Sequence, residues 1–202
     1  MEIVRPFAPV VGGDKVSEEH EKLSSSFVDT TKSKDDPSTK ISTDLRILEK
    51  YPILKKILLN KFYEFIKTSN LEYNNRFEIS TSWLTKSENK QRSNMHNHKN
   101  SFYSGVYYYG DKYESNCGNL QIHNPLLPLS DFLIEPESRN DFNVQIFEIY
   151  PQPRLLVFFP SYIEHQFLPN YSDIPRYSLA FNVVPIGLYG CVDSSYDTSW
   201  FN

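Results

Sequence analysis

Only two cysteines occur in the 202 residues, Cys117 and Cys191, and they stand far apart. Such a pair builds neither a disulfide framework nor a thiolate metal site, and it suits free thiols in a reducing cytosol. The chain also lacks a cationic excess: 21 Lys and Arg against 25 Asp and Glu leave a formal charge of −4. Broad electrostatic binding of nucleic acid needs a basic surface, so that class is disfavoured. No apolar run approaches the length that spans a bilayer. The opening residues, Met1-Glu-Ile-Val-Arg-Pro-Phe7, lack the cationic-then-apolar order of a secretory signal. No internal repeat is present. Together these absences predict a cytoplasmic protein with no membrane segment.

What the chain has in quantity is aromatic side chains, 14 Tyr and 14 Phe among them. That bias favours β-structure over a helical bundle. The length suits one domain with a substantial core. We expect N-terminal support over residues 1–76, a β core over 77–190 and a tail over 191–202.

Along the chain, Ile3 to Val11 is apolar but carries Pro6 and Pro9, so it predicts at most an edge strand. Gly12-Gly13-Asp14 reads as a turn. Ser17 offers an N-cap to a short helix ending near Ser26, with His20 as a solvated helix residue. Thr30 to Thr43 is polar and reads as a loop. Leu45, Leu48, Tyr51, Leu54, Leu58, Phe62 and Phe65 then recur at three- and four-residue steps, the stripe of an amphipathic helix. Pro52 should divide it into a short helix before Tyr51 and a longer one over Pro52 to Lys67.

From Phe77 the period changes to two. Strands are predicted at Phe77–Leu84, Ser104–Tyr109, Gly118–Ile122, Val144–Tyr150, Leu155–Phe159 and Tyr177–Val184. The stretch Asp131 to Asn140 reads as a polar loop, and Trp200-Phe201 as a tail able to fold back. Many short strands with helices only at the N-terminus indicate an antiparallel sandwich or barrel.

The chemistry centres on His96-Asn-His98, which leads into the strand Ser104–Tyr109. On a strand, i and i+2 share a face, so two imidazoles can converge there. Imidazole is the commonest transition-metal ligand. A third, His165, follows a distant strand-like run, and His123 reads as a strand-end residue nearby. Eleven residues past His165, Arg176 opens Arg-Tyr-Ser-Leu-Ala-Phe-Asn182. A guanidinium with Ser178 on the same face makes a clamp for a carboxylate.

The set His-x-His-x-Asn-Ser, Ser-Gly-Val-Tyr-Tyr, Gly-x-Leu, Phe-Pro-Ser-x-x-x-His and Arg-x-Ser-x-x-Phe-Asn resembles the iron(II)/2-oxoglutarate oxygenases. More narrowly, it is similar to an oxygenase family known from bacteria and marine phages. The resemblance runs from about Trp83 to Pro185. It implies a mainly β double-stranded β-helix (jelly roll) with N-terminal helices packed on one side. It implies Fe(II) held by His96, His98 and His165, and 2-oxoglutarate with its far carboxylate on Arg176 and Ser178. It implies hydroxylation of a small-molecule or peptide substrate with O2. Tyr107 and Tyr109, which share a strand face, are further candidates for contact with 2-oxoglutarate, with ordinary barrel core as the alternative. Asn182 is a candidate too, or else a strand-end cap.

One departure stands out. The superfamily holds iron with two histidines and a carboxylate, and the carboxylate's position here is His98. The ligand set is therefore three-histidine, or it uses His98 with Asn100 and leaves His96 outside. Two other classes share a barrel of this kind. A cupin-like metal-binding protein would carry a glutamate shortly after the second histidine, where this chain has nothing acidic. A non-enzymatic jelly-roll module of a phage or virus particle would need no metal.

Overall fold

The computed structural model describes residues 9–29, 38–71, 73–126, 136–140 and 143–199. Its strands are β1 (Gly12–Lys15), β2 (Phe27–Val28), β3 (Lys40–Ser42), β4 (Arg76–Ser87), β5 (Tyr103–Tyr107) and β6 (Leu120–His123). They continue as β7 (Ile146–Ile149), β8 (Leu155–Pro160), β9 (His165–Phe167), β10 (Arg176–Ile186), β11 (Leu188–Tyr189) and β12 (Tyr196–Asp197). The helix α1 spans Pro52–Thr68, after a short 3-10 turn at Ile47–Lys50. Seven strands form one sheet in the order β1-β8-β5-β10-β4-β3-β2, and β7-β6-β9 form a second. Every ladder in the two sheets is antiparallel. The fold is a mainly β jelly roll with its helix on one side.

Alternation along the large sheet sorts the side chains between two cores. On the outer face, Tyr103, Tyr107, Leu156, Phe158, Leu179, Phe181 and Val183 pack against Leu54, Leu58, Phe62 and Ile66 of α1. On the inner face, Val106, Tyr108, Val157 and Phe159 meet Leu120 and Ile122 of the small sheet. Because the period is two, these sets cannot be exchanged without slipping a strand. Pro52 sits in the first turn of α1, where its missing N–H costs nothing. Gly105, in the middle of β5, leaves room for the Phe181 ring.

The N-terminal expectations need correction. No helix forms over Ser17–Ser26. Instead Glu21 reaches α1 and accepts hydrogen bonds from Ile53 N and Leu54 N at 3.0 and 3.1 Å. That answers two of the orphan donors at the helix start with a negative charge. His20 is not a solvated helix residue: its Nε2 lies 2.7 Å from the Tyr107 hydroxyl. Gly12-Gly13 is a strand rather than a turn. A Cβ on Gly13 would lie 2.7 Å from the Leu156 carbonyl oxygen, so glycine here serves close approach between β1 and β8. Lys40–Ser42, expected to be loop, pairs with β4. Residues 3–8 of the proposed edge strand, 30–37 of the polar loop, 131–135 of the loop before Asn140, and Trp200-Phe201 lie outside the described residues.

The later strands match the sequence pattern with shifted ends. β4 runs on to Ser87, β5 stops at Tyr107, and β10 extends from Arg176 to Ile186. The three-residue strand β9 at His165 is too short to carry a pattern of its own. It forms because Leu120, Gln121 and Ile122 supply its partners. Among the described residues no helix is long and apolar enough to cross a membrane.

Candidate metal centre

His96 and His165 are opposed across an antiparallel bridge, each N–H donating to the other's carbonyl at 3.0 and 2.9 Å. His98 N donates to Ser161 O at 2.9 Å, which sets the second imidazole on the same side. The ring centroids lie 4.4 Å apart for His96 and His165, 5.0 Å for His98 and His165, and 5.2 Å for His96 and His98. A ligand nitrogen from each lies within 4.8 Å of the other two. His123, on β6, is outside this cluster and stands 3.5 Å from Gln166 Nε2.

Each ring is anchored at Nδ1. His96 Nδ1 faces Asn94 O at 2.7 Å and His165 Nδ1 faces Ile163 O at 3.0 Å. His98 Nδ1 faces Asn182 Oδ1 at 2.7 Å and Ser104 Oγ at 2.9 Å. Carbonyl oxygens only accept, so these partners select the Nδ1–H tautomer and leave each Nε2 lone pair unprotonated. Metal-ligating histidines are oriented by this kind of contact. The donor set therefore fits a transition metal such as iron.

Burial favours the neutral form of His98 and His165. Desolvation, with the neighbouring His96 in second place, pushes His165 down to about 3. Burial likewise lowers His98. A ring with a depressed folded pKa resists protonation while the unfolded chain takes up a proton near the ordinary value of about 6.5. The metal-free fold thus holds its full advantage above that value and loses it as pH falls, by about 1.4 kcal/mol per pH unit for His165 between about 6.5 and about 3. We expect NMR titration of metal-free protein to find His165 still neutral near pH 5. A His165 that titrates close to 6.5 would contradict this burial.

Beside the triad lies a cavity of about 250 Å³, whose walls include Trp83, Thr85, Val106, Phe167 and Ala180. The Trp83 ring stands 5.5 Å from that of His98. Arg176, Ser178, Ala180 and Asn182 alternate along β10 on this inner face. Ser178 Oγ lies 2.6 Å from Thr85 Oγ1. The Arg176 guanidinium lies over the Phe167 ring, 4.6 Å from its centroid. Phe167 and Thr85 thus join the cavity to the two residues of the proposed clamp.

Arg176 is 2% exposed. Its Nη1 donates to the carbonyls of Cys117, Gly118 and Leu168 at 2.7, 2.9 and 3.0 Å, and Nη2 donates to Ser87 Oγ at 3.0 Å. Gly118, with φ +82, makes the approach possible: a Cβ there would lie 2.5 Å from Nη1. Burial works against the cation, and Tyr108 is its foremost electrostatic neighbour. The Tyr108 hydroxyl is fully buried and has no hydrogen-bond partner among the described residues. Among the described residues no carboxylate pairs with Arg176. A buried guanidinium with no carboxylate partner among the described residues, beside an unpartnered O–H, is a costly arrangement for the protein alone. An anion accepting from both would relieve it.

Two expectations from the sequence fail on side-chain direction. Tyr107 and Tyr109 lie on the outer side, Tyr107 against His20 and Tyr109 against Tyr177 at 5.7 Å. Neither can reach the cavity. Val106, in the cavity wall, is followed two residues on by Tyr108, whose ring joins the inner core. Asn182 does face inward, but its carboxamide is engaged by His98, Ser104 and Thr81. Asn100 lines a different cavity, with Tyr73, Phe77 and Phe102, and its φ of +56 turns the chain between His98 and β5.

A jelly roll with three convergent imidazoles at one cavity defines a metal-dependent class of barrel. Residues 81–182 match the family model described as "Putative 2OG-Fe(II) oxygenase", and the chain belongs to that family. No curated protein matches it. Among solved structures, the epimerase SnoN in complex with Fe3+, alpha ketoglutarate and nogalamycin RO superposes with a TM-score of 0.58 at 11% identity, covering 86% of this chain and 77% of that one. The carbocyclase SnoK from nogalamycin biosynthesis gives 0.55 at 12% identity, with 78% and 67% covered. HygX from Streptomyces hygroscopicus, with nickel and 2-oxoglutarate bound, gives 0.53 at 11%, with 80% and 74% covered. At these identities the likeness is one of fold.

Proposed function

We propose that this 2-oxoglutarate-dependent oxygenase holds Fe(II) on His96, His98 and His165 and binds 2-oxoglutarate with its distal carboxylate at Arg176 and Tyr108. The observation that carries this reading is a buried guanidinium with no carboxylate partner among the described residues, next to a buried hydroxyl with no hydrogen-bond partner among them, joined to the cavity through Phe167. Iron with 2-oxoglutarate and O2 would supply the oxidation of an otherwise unreactive C–H bond. The chain's own part is binding and orientation. The Nδ1 contacts fix three lone pairs, Arg176 and Tyr108 donate to a carboxylate, and Trp83, Val106 and Phe167 exclude water. Thr85, in the cavity wall, is hydrogen-bonded to Ser178. The substrate is a small molecule or peptide, and free Cys117 and Cys191 support a cytoplasmic setting.

Tyr108→Phe tests the placement of the co-substrate. The lost hydroxyl has no partner to leave behind, so stability should be unchanged or slightly raised. Its hydrogen bond to a carboxylate would contribute roughly 1.5–3 kcal/mol, so the 2-oxoglutarate dissociation constant of metal-loaded protein should rise about ten- to a hundredfold. Calorimetric titration reads this directly. Equal affinity in the parent and Tyr108→Phe would remove Tyr108 from the site.

A further inference from the structure

The position where the superfamily's carboxylate would stand is occupied by His98, and a histidine has a requirement that a carboxylate lacks. A carboxylate presents lone pairs in any orientation. An imidazole presents one only if its other nitrogen carries the proton. His98 therefore needs an acceptor at Nδ1, whereas His96 and His165 find theirs in the backbone. For His98 the nearest acceptor is a side chain, Asn182 Oδ1 at 2.7 Å, with the Ser104 hydroxyl also in reach at 2.9 Å. A carboxamide can turn over, and turned over it would aim N–H at Nδ1 and drive the proton to Nε2, the end that must stay free. Two contacts oppose this. Asn182 Nδ2 donates to Thr81 Oγ1 at 2.9 Å, and Ser104 Oγ donates to Asn182 Oδ1 at 3.0 Å.

From this we infer that Asn182 is a positioning residue that selects the ligand tautomer of His98, with Thr81 and Ser104 holding its amide in register. The inference rests on the metal reading above. It makes the three-histidine set a constructed centre, in which replacing the carboxylate ligand by histidine is matched by an amide on β10. Asn182 thus serves the metal ligand rather than the co-substrate.

The test combines tautomer and affinity. In metal-free parent protein, long-range 1H–15N spectra should show His98 protonated at Nδ1. Asn182→Leu should shift it to a mixture or to Nε2–H, with His96 and His165 unchanged. Titration with Ni(II) should then find Asn182→Leu weaker than the parent by about ten- to a hundredfold, the usual effect of losing such an orienting partner. Asn182→Asp, which keeps an acceptor, should retain most of the affinity. Thr81→Val, remote from the ring, should lower affinity in the same direction and covers the case where Asn182→Leu fails to fold. The decisive arm is the cycle with His98→Asp. A carboxylate ligand has no tautomer to select, so adding Asn182→Leu to His98→Asp should change Ni(II) affinity by no more than about twofold, the scatter of uncoupled sites. Equal losses in the two backgrounds, or an unaltered His98 tautomer in Asn182→Leu, would overturn the inference. Failure of the metal reading would appear separately, as a parent protein that takes up no Ni(II).

Discussion

His165→Ala should abolish stoichiometric metal binding, measured by metal analysis after Fe(II) loading under anaerobic conditions and removal of excess metal. The expectation follows from position. His165 is 2% exposed and is opposed by His96 across a two-hydrogen-bond bridge. Its lone pair is fixed by Ile163 O at 3.0 Å. The bridge is backbone to backbone and survives the substitution, so the fold should remain. Two imidazoles would be left, too few to retain a divalent ion against a chelator. His123→Ala, on the neighbouring strand but outside the cluster, should bind metal like the parent. Metal retained by His165→Ala, or lost by His123→Ala, would mean that the ligand set is drawn wrongly.

Arg176→Met should raise the 2-oxoglutarate dissociation constant of the metal-loaded protein by about ten- to a hundredfold, since a charge-assisted hydrogen bond contributes roughly 1.5–3 kcal/mol. Metal binding should persist, because no ligand touches the guanidinium. The substitution has a second consequence. It strands the carbonyls of Cys117, Gly118 and Leu168, which now accept from Nη1. Each buried polar group left unsatisfied costs about 1–3 kcal/mol, so a marked fall in the thermal midpoint is expected alongside the loss of affinity. Lysine should recover part of the affinity through its charge but little of the stability, because one ammonium cannot replace the fork. Tyr108→Phe isolates the co-substrate effect from the structural one. If Arg176→Met destabilises the fold while 2-oxoglutarate affinity stays at the parent value, the arginine is only a strut between β10, β6 and β9.

How far the sequence reveals these features depends on the range of the interactions. Six strands between Arg76 and Ile186 are legible as short β-branched and aromatic runs bounded by turn residues, while the three-residue β9 is not. The stripe Leu54, Leu58, Phe62 marks α1 because its one buried face repeats at helical spacing. Ser17–Ser26 misled, because capping residues describe a helix that nothing here buries. Its glutamate instead serves the start of α1, a contact spanning more than thirty residues. Gly12-Gly13 read as a turn because the alternative use of glycine, closeness to Leu156, exists only in three dimensions. At the site, the three histidines and Arg176 stood out by chemistry and spacing. Tyr108 shares the inward face of Val106, which is plain only once the inward residues of β5 are known. The roles of Asn182 and Phe167 depend on partners on other strands, and no local pattern announces them.

The central claim is a single site in which three histidines and Arg176 with Tyr108 together hold iron and 2-oxoglutarate. Anaerobic titration of the protein with Fe(II) and then 2-oxoglutarate tests it most directly, through the weak visible charge-transfer absorption of the chelate. The account predicts that the band appears only when both are present, saturates at one equivalent of each, and is absent in His165→Ala. Fe(II) and 2-oxoglutarate added together with no such band, or a band that persists in His165→Ala, would contradict it.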